Sequence, residues 1–243
     1  MKLGLGFSFS GQGAAPDTSF VLADHAGAEV DWKYETASDI VLDVAPDVTQ
    51  LVNRVSGKNN PEQLVAATMG HDTVTFVHFG SFQYADYTFT DIASVDNYLI
   101  VVVMLNSITS RVRTQMAILH TSGTTEAPQM AGGVTDTEWY HGVANISGLT
   151  SGEYAVHFAG LLDGEQFYGT KGITAGGDGS INYNTTGNSF TNFSGIRIGH
   201  SGNNHPYANF AAVGFLLGGV TLSDIQGARD EYYDWGISQG LIT

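Results

Sequence analysis

At 243 residues, with 42% hydrophobic and 14% charged side chains, the chain is long enough for one large β-sandwich and too apolar to be a disordered segment. Its formal net charge of −15 repels phosphate backbones, and its nine Lys and Arg residues form no basic stripe, so nucleic acid is not an expected partner. The lack of cysteine excludes disulfides and thiolate metal sites, and the most apolar run, Tyr98 to Leu105, is strand-sized and far short of a membrane span.

With so little charge, the polar surface must come from Ser, Thr, Asn, Gln and Gly, a composition that suits extracellular β-proteins and viral coat proteins. The first residues mimic a short signal peptide, but Gly4, Gly6, Ser8 and Ser10 interrupt the apolar stretch. Residues 1–19 read instead as an extended arm of the mature protein. Leu3, Leu5, Phe7 and Phe9 alternate with Gly and Ser at period two, so one face of the arm is apolar and needs a surface to cover it. Two readings stand. The arm docks on another copy or another protein, or it is an edge strand of its own domain.

Residues 20–243 read as a single all-β domain. Strands are expected at Trp32 to Glu35, Ile40 to Val44 and Val48 to Val52, before a turn cluster at Ser56 to Pro61. Further strands follow at Thr73 to Phe79, Tyr98 to Leu105, Met116 to Thr121, Trp139 to Val143, Glu153 to Phe158 and Gln166 to Tyr168. The continuous run at Tyr98 to Leu105 suits a strand buried on both faces. Gly176 to Gly179 reads as a loop, and Gly195 to Gly199 and Ala211 to Leu217 end the strand series. One helix is expected after Ser223 as N-cap with Gln226 three residues on. Its apolar face would be Ile225, Ala228, Tyr232 and Trp235, with Gly236 as the stop. Many strands and one late helix give an antiparallel two-sheet sandwich rather than an α/β fold.

Several segments, in order, resemble the concanavalin A-like, laminin-G-like jelly-roll domains. Val48-Thr49-Gln50-Leu51-Val52-Asn53-Arg54, followed by Ser56-Gly57-Lys58-Asn59-Asn60, is similar to their opening strand and turn, with Leu51 where the pattern has Trp and Asn53 where it has Asp. Val77 to Ser81, Trp139 to Val143, His157 to Gly160 and Ile196 to Gly199 are similar to later strands. Phe210 to Gly214 resembles a further segment without its Gly and Glu, and Leu222 to Ile225 with Tyr233 to Ile237 resembles the closing helix. The resemblance implies a jelly roll used in glycan or protein adhesion, sometimes with calcium at the sandwich rim. Such domains occur in phage virion proteins and on bacterial surfaces.

The residues offer one enzymatic candidate. Strand alternation would place Glu29, Asp31, Lys33 and Glu35 on one face. Relatives that cleave β-glucans carry Glu-x-Asp-x-Glu or Glu-x-Asp-x-x-Glu, and retaining hydrolysis needs two carboxyls about 5 Å apart. Here Lys33 replaces the second Glu of the shorter motif and Glu35 lies one residue too far for the longer one, so the segment reads as a charged, solvated strand face and the chain as a non-enzyme. The eight histidines lack metal-binding spacing. Glycan-binding candidates are His200, Asn203, Asn204, His205 and Tyr207, which supply aromatic and amide groups in one loop. Asp163 and Asp178 are candidate calcium ligands, although calcium needs six to eight oxygens.

These readings together predict a virion structural protein, capsid-decorating, appendage or tail-associated, that contacts other virion proteins, forms a homo-oligomer and meets a surface glycan. The alternative is a secreted or cell-surface bacterial glycan-binding module, and the third reading is a glycoside hydrolase.

Overall fold

A computed structural model describes residues 20–42, 47–62, 69–71, 77–79, 84–105, 113–120, 125–132, 138–141, 144–147, 152–173, 177–184, 190–199 and 208–243. The strands among them are β1 (Ala28–Lys33), β2 (Ile40–Leu42), β3 (Asp47–Leu51), β4 (Met69–His71), β5 (Val77–Phe79), β6 (Tyr84–Val95), β7 (Tyr98–Leu105), β8 (Arg113–His120) and β9 (Thr125–Gly132). They continue with β10 (Glu138–His141), β11 (Ala144–Ser147), β12 (Tyr154–Leu162), β13 (Glu165–Ile173), β14 (Gly177–Asp178), β15 (Asn182–Asn184), β16 (Phe190–Gly199) and β17 (Ala208–Leu217), and the chain closes with helix α1 (Leu222–Ser238).

The strands form two antiparallel sheets, as the composition and pattern predict. The larger runs β14-β13-β12-β7-β17-β5-β4-β3-β2, with β1 also on β17 and β15 also on β13. The smaller runs β11-β10-β9-β8-β16-β6. Glu62 bridges Gln50 of β3 to Asp86 of β6 and so ties the sheets at one corner.

Three layers result, and the residues of β7 show why. Tyr98, Ile100, Val102 and Met104 point between the sheets, where they meet Ala85, Tyr87, Ile196 and Ile198 of the smaller one. Leu99, Val101 and Val103 point the other way, to Ile225, Ala228 and Tyr232 of α1. A strand covered on both sides needs apolar residues at every position, which is what Tyr98 to Leu105 supplies. Each large buried side chain contributes roughly 1.5–3 kcal/mol. The large sheet is therefore a shared wall between two cores.

The helix is longer than its sequence signals imply. Its N-cap is Thr221, two residues before the expected Ser223, and Asp224 completes the capping box in place of Gln226. Thr221 Oγ1 accepts from the Asp224 amide at 3.3 Å, while Asp224 Oδ2 accepts from the Thr221 amide at 2.8 Å. Gly236 does not stop the helix. It is buried on the packed face, and a Cβ there would lie 2.7 Å from Ile242.

Other elements depart from expectation for local reasons. Gly177 and Asp178, read as loop, make a short pairing with the end of β13. β9 carries Pro128, and its sequence has no strand pattern. Ala117 and Ile118 of β8 face Gln129 and Glu126, so Ala127 and Pro128 fall in a bulge where a missing amide breaks no ladder bond. The arm at residues 1–19, with Leu3, Leu5, Phe7 and Phe9, lies outside the described residues.

Candidate functional site

The segment from Glu29 to Glu35 does not present one charged face. β1 pairs with β17 through Ala28 opposite Leu216 and Val30 opposite Phe215, which leaves Glu29 as the extra residue of a bulge. The bulge turns Glu29 toward β6 of the other sheet, where its Oε2 accepts from Tyr87 Oη at 2.6 Å. Asp31 and Lys33 instead lie under α1. They are not solvated, being only 2% and 5% exposed, because the helix covers that face of the strand.

Buried charge is tolerable only when paired and hydrogen-bonded. Lys33 Nζ lies 2.6 Å from Glu231 Oε1 and 3.5 Å from Asp31 Oδ1, and 4.7 Å above the Tyr232 ring. Tyr232 Oη donates to Asp31 Oδ1 at 2.7 Å. Gly214, cross-strand from Asp31, makes room for this, since a Cβ there would stand 2.3 Å from Tyr232 Oη. Burial first, and then the Asp31 carboxylate, push the Tyr232 phenol well above its ordinary range, so it remains a donor. Glu35 Oε1 accepts from Trp235 Nε1 at 2.8 Å and Arg54 Nη1 at 3.2 Å. These groups fasten the helix to the sheet.

Glu29 belongs to a different environment, an open cleft at the sandwich rim. Its Oε1 lies 2.7 Å from Lys58 Nζ, so the carboxylate joins the Ser56 to Pro61 turn to β6. Burial, followed by the Glu29 hydrogen bond and charge, raises the Tyr87 phenol well above its ordinary range. The cleft has a volume of about 410 Å3, and Lys58, Asn59, Thr88 and Phe89 line it beside Glu29 and Tyr87.

Asn53 sets the geometry of this cleft. Its Oδ1 accepts from the amides of Asp31 and Val55, at 3.0 and 3.1 Å. Its Nδ2 donates to the carbonyls of Glu29 and Asn59, at 2.8 and 2.9 Å. One amide side chain thus fixes the bulge and the turn together, a role that needs both a donor and an acceptor. The turn itself was legible as a turn, but nothing in the sequence marks Lys58, Asn59 and Tyr87 as neighbours.

The sequence-predicted sites fare differently. His200, Asn203, Asn204, His205 and Tyr207 lie outside the described residues. Asp163 is a turn residue with φ 52, beside Gly164 with φ 79, in the hairpin between β12 and β13. Asp178 pairs with Lys171 near the far end of β13. Eight residues of strand separate the two positions, roughly 26 Å at about 3.3 Å per residue, so they do not share one calcium ion. Among the described residues no group of three or more His, Asp or Glu side chains converges on a metal-sized site. His78, His141 and His157 lie in strands, and burial pushes His157 down to about 3, so it is neutral.

No family model matches the chain, and no curated protein matches it by sequence. Solved structures do match by shape. A Trypanosoma rangeli sialidase with the inhibitor DANA superposes with a TM-score of 0.56 at 10% identity, over 88% of this chain and 34% of that one. The receptor-binding domain of botulinum neurotoxin D gives a TM-score of 0.53 at 8% identity, over 85% of this chain and 53% of that one. The chain spans about a third of the sialidase and about half of the toxin domain. At this identity the likeness concerns fold alone, and the fold is a two-sheet antiparallel β-sandwich with a single α-helix among the described residues.

Proposed function

We propose that this chain is a non-catalytic adhesion domain that contacts a surface glycan through the rim cleft and is carried on a virion, as a capsid-decorating, appendage or tail-associated protein. The observation that carries the adhesion reading is the split of the acidic segment. Asp31 and Glu35 are committed to Tyr232, Arg54 and Trp235, and Glu29 lies across the bulge from them. The arrangement offers an open polar cleft with one carboxylate, and retaining hydrolysis of the β-glucan type uses two.

The virion placement rests on composition and on the arm. A surface poor in charge and rich in Ser, Thr, Asn and Gly suits a particle protein, and the period-two sequence pattern of Leu3, Leu5, Phe7 and Phe9 is that of an apolar edge, which natural proteins cover. Two experiments test the two halves. The protein applied to a glycan array is expected to be retained on a subset of glycans, and retention on none contradicts adhesion. A truncation starting at Asp17 is expected to fold but to be absent from purified particles. Normal incorporation of the truncated protein refutes arm docking, and absence of the full chain from particles favours a secreted or bacterial-surface module.

A further inference from the structure

The chemistry of the rim cleft specifies its ligand further, given the adhesion reading above. We infer that the cleft binds an uncharged pyranose ring, held by Asn59, Thr88 and Lys58 with Glu29 as acceptor and Phe89 as the apolar wall.

Charge decides the class. The Glu29 carboxylate and the Lys58 ammonium are 2.7 Å apart, so each offsets the other and the cleft presents no net sign. Around it the chain carries a formal net charge of −15, which repels sialylated, uronic or sulfated sugars. A bare cation finds Lys58 already on the carboxylate it would need. An uncharged ligand pays neither cost.

Hydrogen-bonding capacity decides the rest. Asn59 and Thr88 are exposed, and neither side chain makes a hydrogen bond with another described residue. Asn59 offers two donors and an acceptor, and Thr88 one donor and an acceptor. Lys58 uses one donor on Glu29, and its side chain is 37% exposed, which leaves two donors for a ligand. Each Glu29 oxygen has one partner among the described residues and a further lone pair. Such a set of mixed donors and acceptors matches vicinal hydroxyls, each of which donates and accepts. Phe89, partly buried, stacks on Phe215 at 6.2 Å between centroids and forms the apolar wall for the ring's C–H face. The cleft volume of about 410 Å3 falls within the range of small-ligand sites.

The arrangement is also pre-set. Asn53 holds the turn against the β1 bulge, and Tyr87 holds Glu29 from the other sheet, so binding orders little new structure.

The test is NMR titration of the full chain with methyl glycosides of glucose, galactose, mannose and N-acetylglucosamine, beside sialic acid and glucuronic acid. At least one neutral glycoside is expected to bind in the millimolar range and to shift the Asn59 side-chain amide and the Lys58 and Thr88 backbone signals. The double variant Asn59→Ala, Thr88→Ala, with an unchanged melting temperature, is expected to weaken that binding at least tenfold. Binding by the acidic sugars alone, neutral binding that the double variant leaves intact, or no binding by any probe overturns the inference. Glycan-array retention that the double variant does not alter overturns this site while leaving the adhesion reading standing, and retention of the parent chain on no glycan removes both.

Discussion

Glu29 and Asp31 stand two residues apart in one strand, yet they belong to different chemistries. Asp31 is 2% exposed, beneath the helix, and its carboxylate answers Tyr232 and Lys33. Glu29 faces an open cleft and joins the turn at Lys58 to the opposite sheet at Tyr87. A single bulge residue separates helix-covered charge from cleft-facing charge. The lesson is that acidic spacing in a strand has a function only after the pairing register is known, because one extra residue changes the face.

The comparison predicts unequal costs. Lys33→Ala leaves Glu231 and Asp31 beneath the helix without their cation, and breaking a buried pair in this way costs about 3–5 kcal/mol. Urea unfolding is expected to show that loss, and a change below about 1 kcal/mol contradicts the structural role given to the pair.

Acid should expose the next largest effect, from a group buried in its neutral form. Burial takes His157 from the ordinary 6.5 down to about 3 in the folded chain. Above pH 6.5 neither state holds the proton, and stability from this source is complete. As pH falls from 6.5 toward about 3, the unfolded chain takes up the proton and the folded chain does not, so stability drains across that window. Denaturation midpoints measured from pH 7 to pH 4 are expected to fall less steeply in His157→Leu than in the parent, and equal slopes contradict the assignment.

Tyr232→Phe removes one donor from the buried Asp31 carboxylate and should cost about 1–3 kcal/mol. Asn53→Asp should cost a similar amount, about 1–3 kcal/mol, since the new carboxylate faces the Glu29 and Asn59 carbonyls it can no longer serve. Only the Asn53 variant is expected to weaken glycan retention as well, because only it loosens the cleft. Equal retention by the two variants breaks the distinction. At the small end, Asn59→Ala with Thr88→Ala should shift stability by no more than about 0.5 kcal/mol, as both side chains are exposed and make no hydrogen bond among the described residues.

How much of this was legible depended on whether a signal was local. The Tyr98 to Leu105 run declared a strand covered on both sides, and its boundaries match β7. The apolar face of the helix was also readable, with Ile225, Ala228 and Tyr232 all buried. Its ends were not, since Thr221 and Ser223 are both good caps and packing against the sheet selects between them. Pro128 concealed β9, because a bulge depends on the partner strand as much as on its own residues. Nor was the cover over Asp31 and Lys33 foreseeable, because the helix that supplies it lies about two hundred residues away in sequence. The cleft was hidden for the same reason. It gathers Glu29, Lys58 and Tyr87 from three segments, and the residue that aligns two of them, Asn53, was notable only as a departure from a resemblance.

The central claim is that this acidic segment serves binding and packing without cleaving a glycan. The most direct measurement incubates the full chain with defined β-glucan oligosaccharides and follows product masses over time. The expected result is that every oligosaccharide is recovered intact, with the parent chain and Glu29→Gln indistinguishable. Sustained appearance of shortened products that disappears in Glu29→Gln contradicts the account.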